Sequence, residues 1–228
     1  MSIKFKLAII FIFGIYFFTG CKSDSTTATA KVPATKTIER IKSDTIVNKL
    51  NLDKMKSDDS LFVAMNKMLN KIREMKLSRN VDIDFANIII QHHQGAIDMS
   101  LIEIKSGSDA GIKAMAKKII RNQMDEQSNF GNIVQGTKPM KMNMGMDNEL
   151  FEDISEMKAA INTMKLSGNI DKDFVNLMIE NHESQIKLSK NEFSNGMNNQ
   201  LKQMSQKLIN DQTKEINEFK NWLLLSSK

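Results

Sequence analysis

The sequence predicts an all-α fold, a four-helix bundle assembled from two tandem copies of one helical unit, and three observations carry that expectation. Residues 61–133 align without a gap to residues 150–222 at a constant offset of 89, with 27 identities in 73 positions. Gap-free identity over that length is the mark of an internal duplication. Apolar residues recur three and four apart within each copy, the period of a helix with one buried face, and no useful length alternates with the period of a strand.

In chain order, the first element is a leader. Residues 1–20 read as a secretory signal: Lys4 and Lys6 precede an apolar run at 7–18, and small residues lead into Cys21. That run makes about 18 Å of helix, short of the roughly 30 Å core of a bilayer, so a permanent span is the poorer reading. Phe18-Thr19-Gly20-Cys21 resembles the lipobox of bacterial lipoproteins, with Phe18 where Leu is usual. The resemblance implies that Cys21 is acylated, becomes the new N-terminus and anchors the chain to a bacterial membrane, facing the periplasm or the cell surface. An ordinary signal with an incidental Cys is the alternative. Several acyl chains on one residue suffice for stable attachment. Cys21 is the sole cysteine, so no internal disulfide is possible.

Loss of the leader removes two lysines and no acid, taking the net charge from +5 to about +3. The lysines that remain alternate with Asp and Glu, which describes a solvated surface and gives nucleic-acid binding little support. Residues 21–50, rich in Ser, Thr, Ala and Lys, have the composition of a flexible tether.

The first repeat, residues 51–136, reads as three helices. One covers about 60–76, with Leu61, Met65, Met68, Ile72 and Met75 at helical spacing. The next is capped by Asp82 or Asp84, continues to about Lys105 and stops near Gly107. The last covers about 110–133, with Ile112, Met115, Ile119, Phe130 and Ile133 as its stripe. After a Met-rich connector at 137–148, residues 149–228 repeat the pattern. Two related hairpins close naturally as a four-helix bundle, with the short helices expected at its ends.

Three groups of residues stand out for chemistry. In the connector, Met140, Met142, Met144 and Met146 occupy every second position among Lys138, Pro139, Lys141, Asn143 and Gly145. Met usually fills cores, but this segment is neither helical nor apolar enough to have one. Neutral thioethers on such a loop suit Cu(I) or Ag(I), which tolerate low coordination, and they lose no proton on binding. In the second helix, His92 and Met99 are seven apart and share a face, with Glu103 one turn beyond; Asn181 and Leu188 replace the pair in the second copy. His93 recurs as His182 among apolar neighbours, Met178 included, so both rings are expected to point inward. Glu126 and Glu215 interrupt the apolar stripes of their helices, and a buried carboxylate needs a partner or a metal. One His and one Glu per copy, with Gln123 or Gln212, make a polar layer that serves structure or metal binding equally.

These residues resemble the domain-of-unknown-function 305 family, whose hallmark is similar to D-x-x-F-x-x-x-M-I-x-H-H-x-x-A-x-x-M with Q-x-x-E-I on a later helix. The first copy supplies Asp82, Phe85, Ile90, His92, His93, Ala96, Met99, Gln123 and Glu126; the second supplies Asp171, Phe174, Met178, Ile179, His182, Gln212, Glu215 and Ile216. Ile89 departs from the pattern, as does the loss of one His and the downstream Met in the second copy. The resemblance implies a ferritin-like four-helix bundle, frequently secreted, with copper binding through Met and His in some members.

The sequence therefore leads to a non-enzymatic, lipid-anchored protein that captures Cu(I) or Ag(I), with His92, His93 and Met99 as an ordered site beside the Met loop. Met178, His182, Glu126 and Glu215 are further candidate ligands. The alternatives are a metal-independent helical interaction module and a ferritin-like redox enzyme. For the latter, the Glu three residues before each His is missing. No nucleophile triad, phosphate loop or Cys pair is present.

Overall fold

The computed structural model describes residues 57–136 and 147–226. They form six helices: α1 (Ser57–Glu74), α2 (Val81–Ser106), α3 (Ala110–Gly136), α4 (Asp147–Thr163), α5 (Ile170–Asn195) and α6 (Asn199–Ser226). There is no strand among the described residues. The protein is an all-α helical bundle, and α1–α3 correspond to α4–α6 at the repeat offset. The expected leader, Cys21 and the tether lie outside the described residues, as do Met140, Met142, Met144 and Met146.

Burial sorts the helices into layers. α2 buries side chains around its whole girth, from Phe85, Ile88 and Ile89 to Leu101 and Ile102. Such a helix needs cover on every side. α3, α1 and α5 all pack against it, and α5 is likewise enclosed by α6, α4 and α2. α3 and α6 bury only a stripe, Ile112, Ile119 and Phe130 on one and Leu201, Leu208 and Phe219 on the other, and leave a polar face to water. The short helices α1 and α4 therefore lie along the α2/α5 layer, in contact with each other. This corrects their expected place at the bundle ends. The girth-wide burial of α2 and α5 leaves a flank that only another helix can cover.

α1 packs tightly on α2 at Gly95, where an added Cβ would fall 2.5 Å from Met68 Sδ. The apolar positions read from the sequence of α1, Leu61, Met65, Met68 and Ile72, are all buried.

Local chemistry at the helix starts differs from expectation. Asn80, not Asp82 or Asp84, is the N-cap of α2, its side chain accepting from Ile83 N at 3.2 Å. Asp84 instead braces the preceding turn, accepting from Ser78 N at 2.7 Å and Arg79 N at 3.0 Å. Asn169 and Asp173 repeat this arrangement at α5. The turn requires a left-handed residue, Gly168 (φ 79) in the second copy and Arg79 (φ 65) in the first. Asp82, freed from capping, reaches the other repeat: Met197 N and Asn198 N donate to it at 2.8 and 3.1 Å.

Candidate metal centre

The two copies meet about a pseudo-twofold axis that passes between α2 and α5. His92 faces Asn181, its own equivalent, with Nδ1 and Nδ2 3.5 Å apart. Only a residue on the axis can touch its own copy. Asn181 also donates to Met68 Sδ at 3.3 Å and accepts from Gln185 Nε2 at 2.6 Å, while Gln212 donates to Gln185 at 2.8 Å. A buried polar chain thus runs across the middle of the bundle.

His92 is fully buried, and its Nε2 has no hydrogen-bond partner among the described residues. Burial pushes its pKa down to about 3, with the nearby His93 and His182 adding repulsion. The ring is therefore neutral at physiological pH, the form that ligates metals. A neutral imidazole carries one proton; the Asn181 NH₂ group can only donate, which makes Nδ1 the acceptor and leaves that proton on Nε2, where an ion has to displace it.

Off the axis, each remaining imidazole belongs to a mirrored relay. His93 Nε2 lies 3.0 Å from Glu126 Oε2, and Lys207 donates to Glu126 Oε1 at 3.0 Å. His182 Nε2 lies 3.1 Å from Glu215 Oε2, and Lys118 Nζ is 3.5 Å from Glu215 Oε1. Lys118 and Lys207 are repeat equivalents, so each copy's lysine closes the other copy's pair. Burial pushes both carboxyls up, but the hydrogen bonds and charge from His and Lys outweigh it and hold them below the usual range. Phe130 stands edge-on to His93 and Phe219 is tilted against His182. Nδ1 of each ring is buried with no hydrogen-bond partner among the described residues.

The profile of a family described as Domain of unknown function (DUF305) matches residues 35–134 and again 127–223. The chain belongs to the DUF305 family. Among solved structures, it is similar to CopM in the Cu(I)-bound form, with a TM-score of 0.49 and 23% identity over 64% of this chain and 98% of that one. It is similar to CopM in the apo form with a TM-score of 0.47 and 24% identity, over 62% and 94% of the two chains. A DUF305 fragment from Deinococcus radiodurans gives a TM-score of 0.47 and 14% identity, over 63% and 95%. No curated protein matches the chain.

The adjacent histidines of this DUF305 chain face different surroundings. His92 takes the axis and keeps Nε2 unengaged; His93 and His182 each spend one nitrogen on a glutamate. Glu126 is only partly buried and Glu215 more fully, with 16% and 8% of their side chains exposed, so the relays open toward the α3/α6 surface. Met99 and Met178 are wholly buried in the hydrophobic core. Met68 is the sulfur placed beside Asn181, opposite His92. No group of three or more His, Cys, Asp or Glu among the described residues is placed to hold one ion.

The sequence places Met68 in an apolar stripe and Asn181 only as the replacement for His92, and it gives the crossed lysines no role. Identity between the copies marks Lys118 with Lys207 and Met68 with Met157, but it does not say which partner either residue meets.

Proposed function

We propose that the protein is a non-enzymatic, extracytoplasmic lipoprotein, anchored through acylated Cys21, that binds Cu(I) or Ag(I) through Met and His. The observation that carries this reading is His92, a buried imidazole kept neutral with Nε2 unengaged, on the axis beside Asn181 and the Met68 thioether. A buried polar atom left unpaired is unfavourable by about 1–3 kcal/mol, which binding an ion there would recover. Met140, Met142, Met144 and Met146 form the acquisition loop, and His92 is the ordered destination. His93 and His182 each retain a buried Nδ1 that can contribute. Glu126 and Glu215 position those rings. The cargo is a soft monovalent ion, matched by thioethers that lose no proton, while at His92 it displaces the proton on Nε2.

Titration of the anaerobic protein with Cu(I) against a competing chelator tests the reading, with about one to two ions bound per chain expected. Changing the four loop methionines to Leu abolishes competition for the first, and His92→Asn removes the second. Unchanged binding in both variants would overturn the proposal.

A further inference from the structure

Away from the imidazoles, each end of the α2/α5 layer buries a pair of carboxyl groups. Glu103, near the end of α2, is fully buried, and neither of its oxygens receives a hydrogen bond from a described donor. The backbone folds tightly over it: a Cβ on Gly107 would collide with its carboxyl. The group it faces is the carboxyl of Asp171, in the first turn of α5. Asp171 is saturated from its other side, accepting from Ser108 N at 2.9 Å, Ser108 Oγ at 2.5 Å and Asp109 N at 2.8 Å. The opposite end repeats the construction. Glu192 is buried beneath Gly196, without a described donor, and faces Asp82, which accepts from Met197 N and Asn198 N.

Two carboxyl groups in contact, shut off from water, cannot both be ionised without strong repulsion. Each aspartate is supplied with N–H or O–H donors, the partners a carboxylate accepts from. Among the described residues, each glutamate has no neighbour to hydrogen-bond except that aspartate, and it can do so only by supplying a proton. We propose that Glu103 and Glu192 are two proton-held latches: each carboxylic acid donates to the aspartate of the other repeat, closing the α2/α5 seam, and loss of the proton in alkaline solution releases it.

The surrounding charges agree. Burial, together with Asp171, pushes Glu103 up to about 8; Asp109 adds to the rise and Lys113 on α3 opposes it. Burial and Asp82 push Glu192 up to about 9, opposed by Lys202 on α6. Burial pushes Asp171 up as well, but its hydrogen bonds from Ser108, Asp109 and Glu103 outweigh this and lower it overall. Both glutamates therefore lie above their ordinary value of 4.5. The folded chain holds protons that the unfolded chain gives up. The latch contribution is complete below that ordinary value and is lost as pH rises through about 8 to 9. His92 lies midway along the same seam, so release exposes it.

Amide hydrogen exchange along α2 and α5, corrected for intrinsic base catalysis, reads the seam directly. Protection is expected to fall by at least about tenfold between pH 7 and 10 in the wild type. It should stay flat in E103Q/E192Q, where the amide donates at every pH. A parallel readout needs no variant: unfolding at pH 7 should release between about one and two protons per chain. A flat wild-type profile, release of much less than one proton, or millimolar Ca²⁺ or Mn²⁺ restoring protection at pH 10 would each overturn the proposal. The last would make the pairs cation sites.

Discussion

Gly95→Ala and Gly131→Ala are one substitution in two helices, and the structure gives them opposite signs. Replacing Gly by Ala inside a helix is favourable by about 1 kcal/mol, because Gly has more backbone freedom to lose. On α3 an added Cβ at Gly131 meets nothing within 4 Å, so that gain should appear in full. On α2 the Cβ at Gly95 would fall 2.5 Å from Met68 Sδ and 2.9 Å from its Cβ and Cγ. The sulfur can swing aside, but the Met68 Cβ is fixed to α1, and ordinary carbon contacts need about 3.5–4 Å. α1 must therefore move, and overpacking of this kind costs about 1–3 kcal/mol. The net expectation is no gain at Gly95 and a loss of up to about 2 kcal/mol. Guanidinium denaturation with unchanged m-values would measure both. Adding Met68→Gly, which removes the Cβ as well as the rest of the side chain, should make Gly95→Ala neutral or favourable, a coupling of at least about 1 kcal/mol between residues in contact. If Gly95→Ala stabilises as Gly131→Ala does, or if the coupling is zero, the close approach of α1 to α2 is wrong.

Other expectations follow from single residues. Arg79→Gly should raise stability by about 0.5–1 kcal/mol, since Arg79 holds the left-handed φ of 65 that Gly168 occupies without strain in the second copy; equilibrium denaturation that shows a loss would refute it. His92 has a folded pKa of about 3 against 6.5 when unfolded, so the unfolded chain binds the extra proton and stability falls as pH drops through that interval. The slope approaches about 1.4 kcal/mol per unit, and His92→Asn should remove it; parallel urea-unfolding profiles between pH 4 and 7 would refute a buried neutral ring. Lys207→Met should lower stability by less than about 1 kcal/mol, because Lys207 is 64% exposed and His93 still holds Glu126; a much larger shift in thermal unfolding would mean that the crossed lysine organises the relay.

The fold was legible because duplication and helical period report on backbone and burial, which are local properties. The inward direction of His93 and His182 and their link to Glu126 and Glu215 could be anticipated, since a carboxylate within an apolar stripe demands a partner. What sequence did not carry was contact between the copies. Lys207 reaches Glu126 and Asp82 reaches the turn before α6, and no spacing along one copy encodes either. The caps show a finer limit: Asn80, Asp82 and Asp84 all have capping chemistry, and the extended backbone at Asn80 decides among them. Met99 illustrates the commonest ambiguity, for a thioether on a helix sharing a face with His92 is a plausible ligand by spacing and a core side chain by burial.

The pattern of divergence between the copies follows from the axis. An off-axis contact, such as His93 with Glu126, occurs twice and makes the same demand on each copy, so His182 with Glu215 persists. On the axis a residue meets its own equivalent, and a single contact serves both copies. One member is then free to change, provided that the pair can still be satisfied. Asn181 does what a second neutral imidazole, with a single N–H, cannot. The hydrogens of its NH₂ group face Met68 Sδ at 3.3 Å and His92 Nδ1 at 3.5 Å, while its oxygen accepts from Gln185. Two donors and one acceptor are used at once, within the capacity of an amide and beyond that of imidazole. The departure from the DUF305 double-His motif in the second copy thus completes the polar chain around a single histidine. It also explains why the central site is asymmetric in a protein whose scaffold is not.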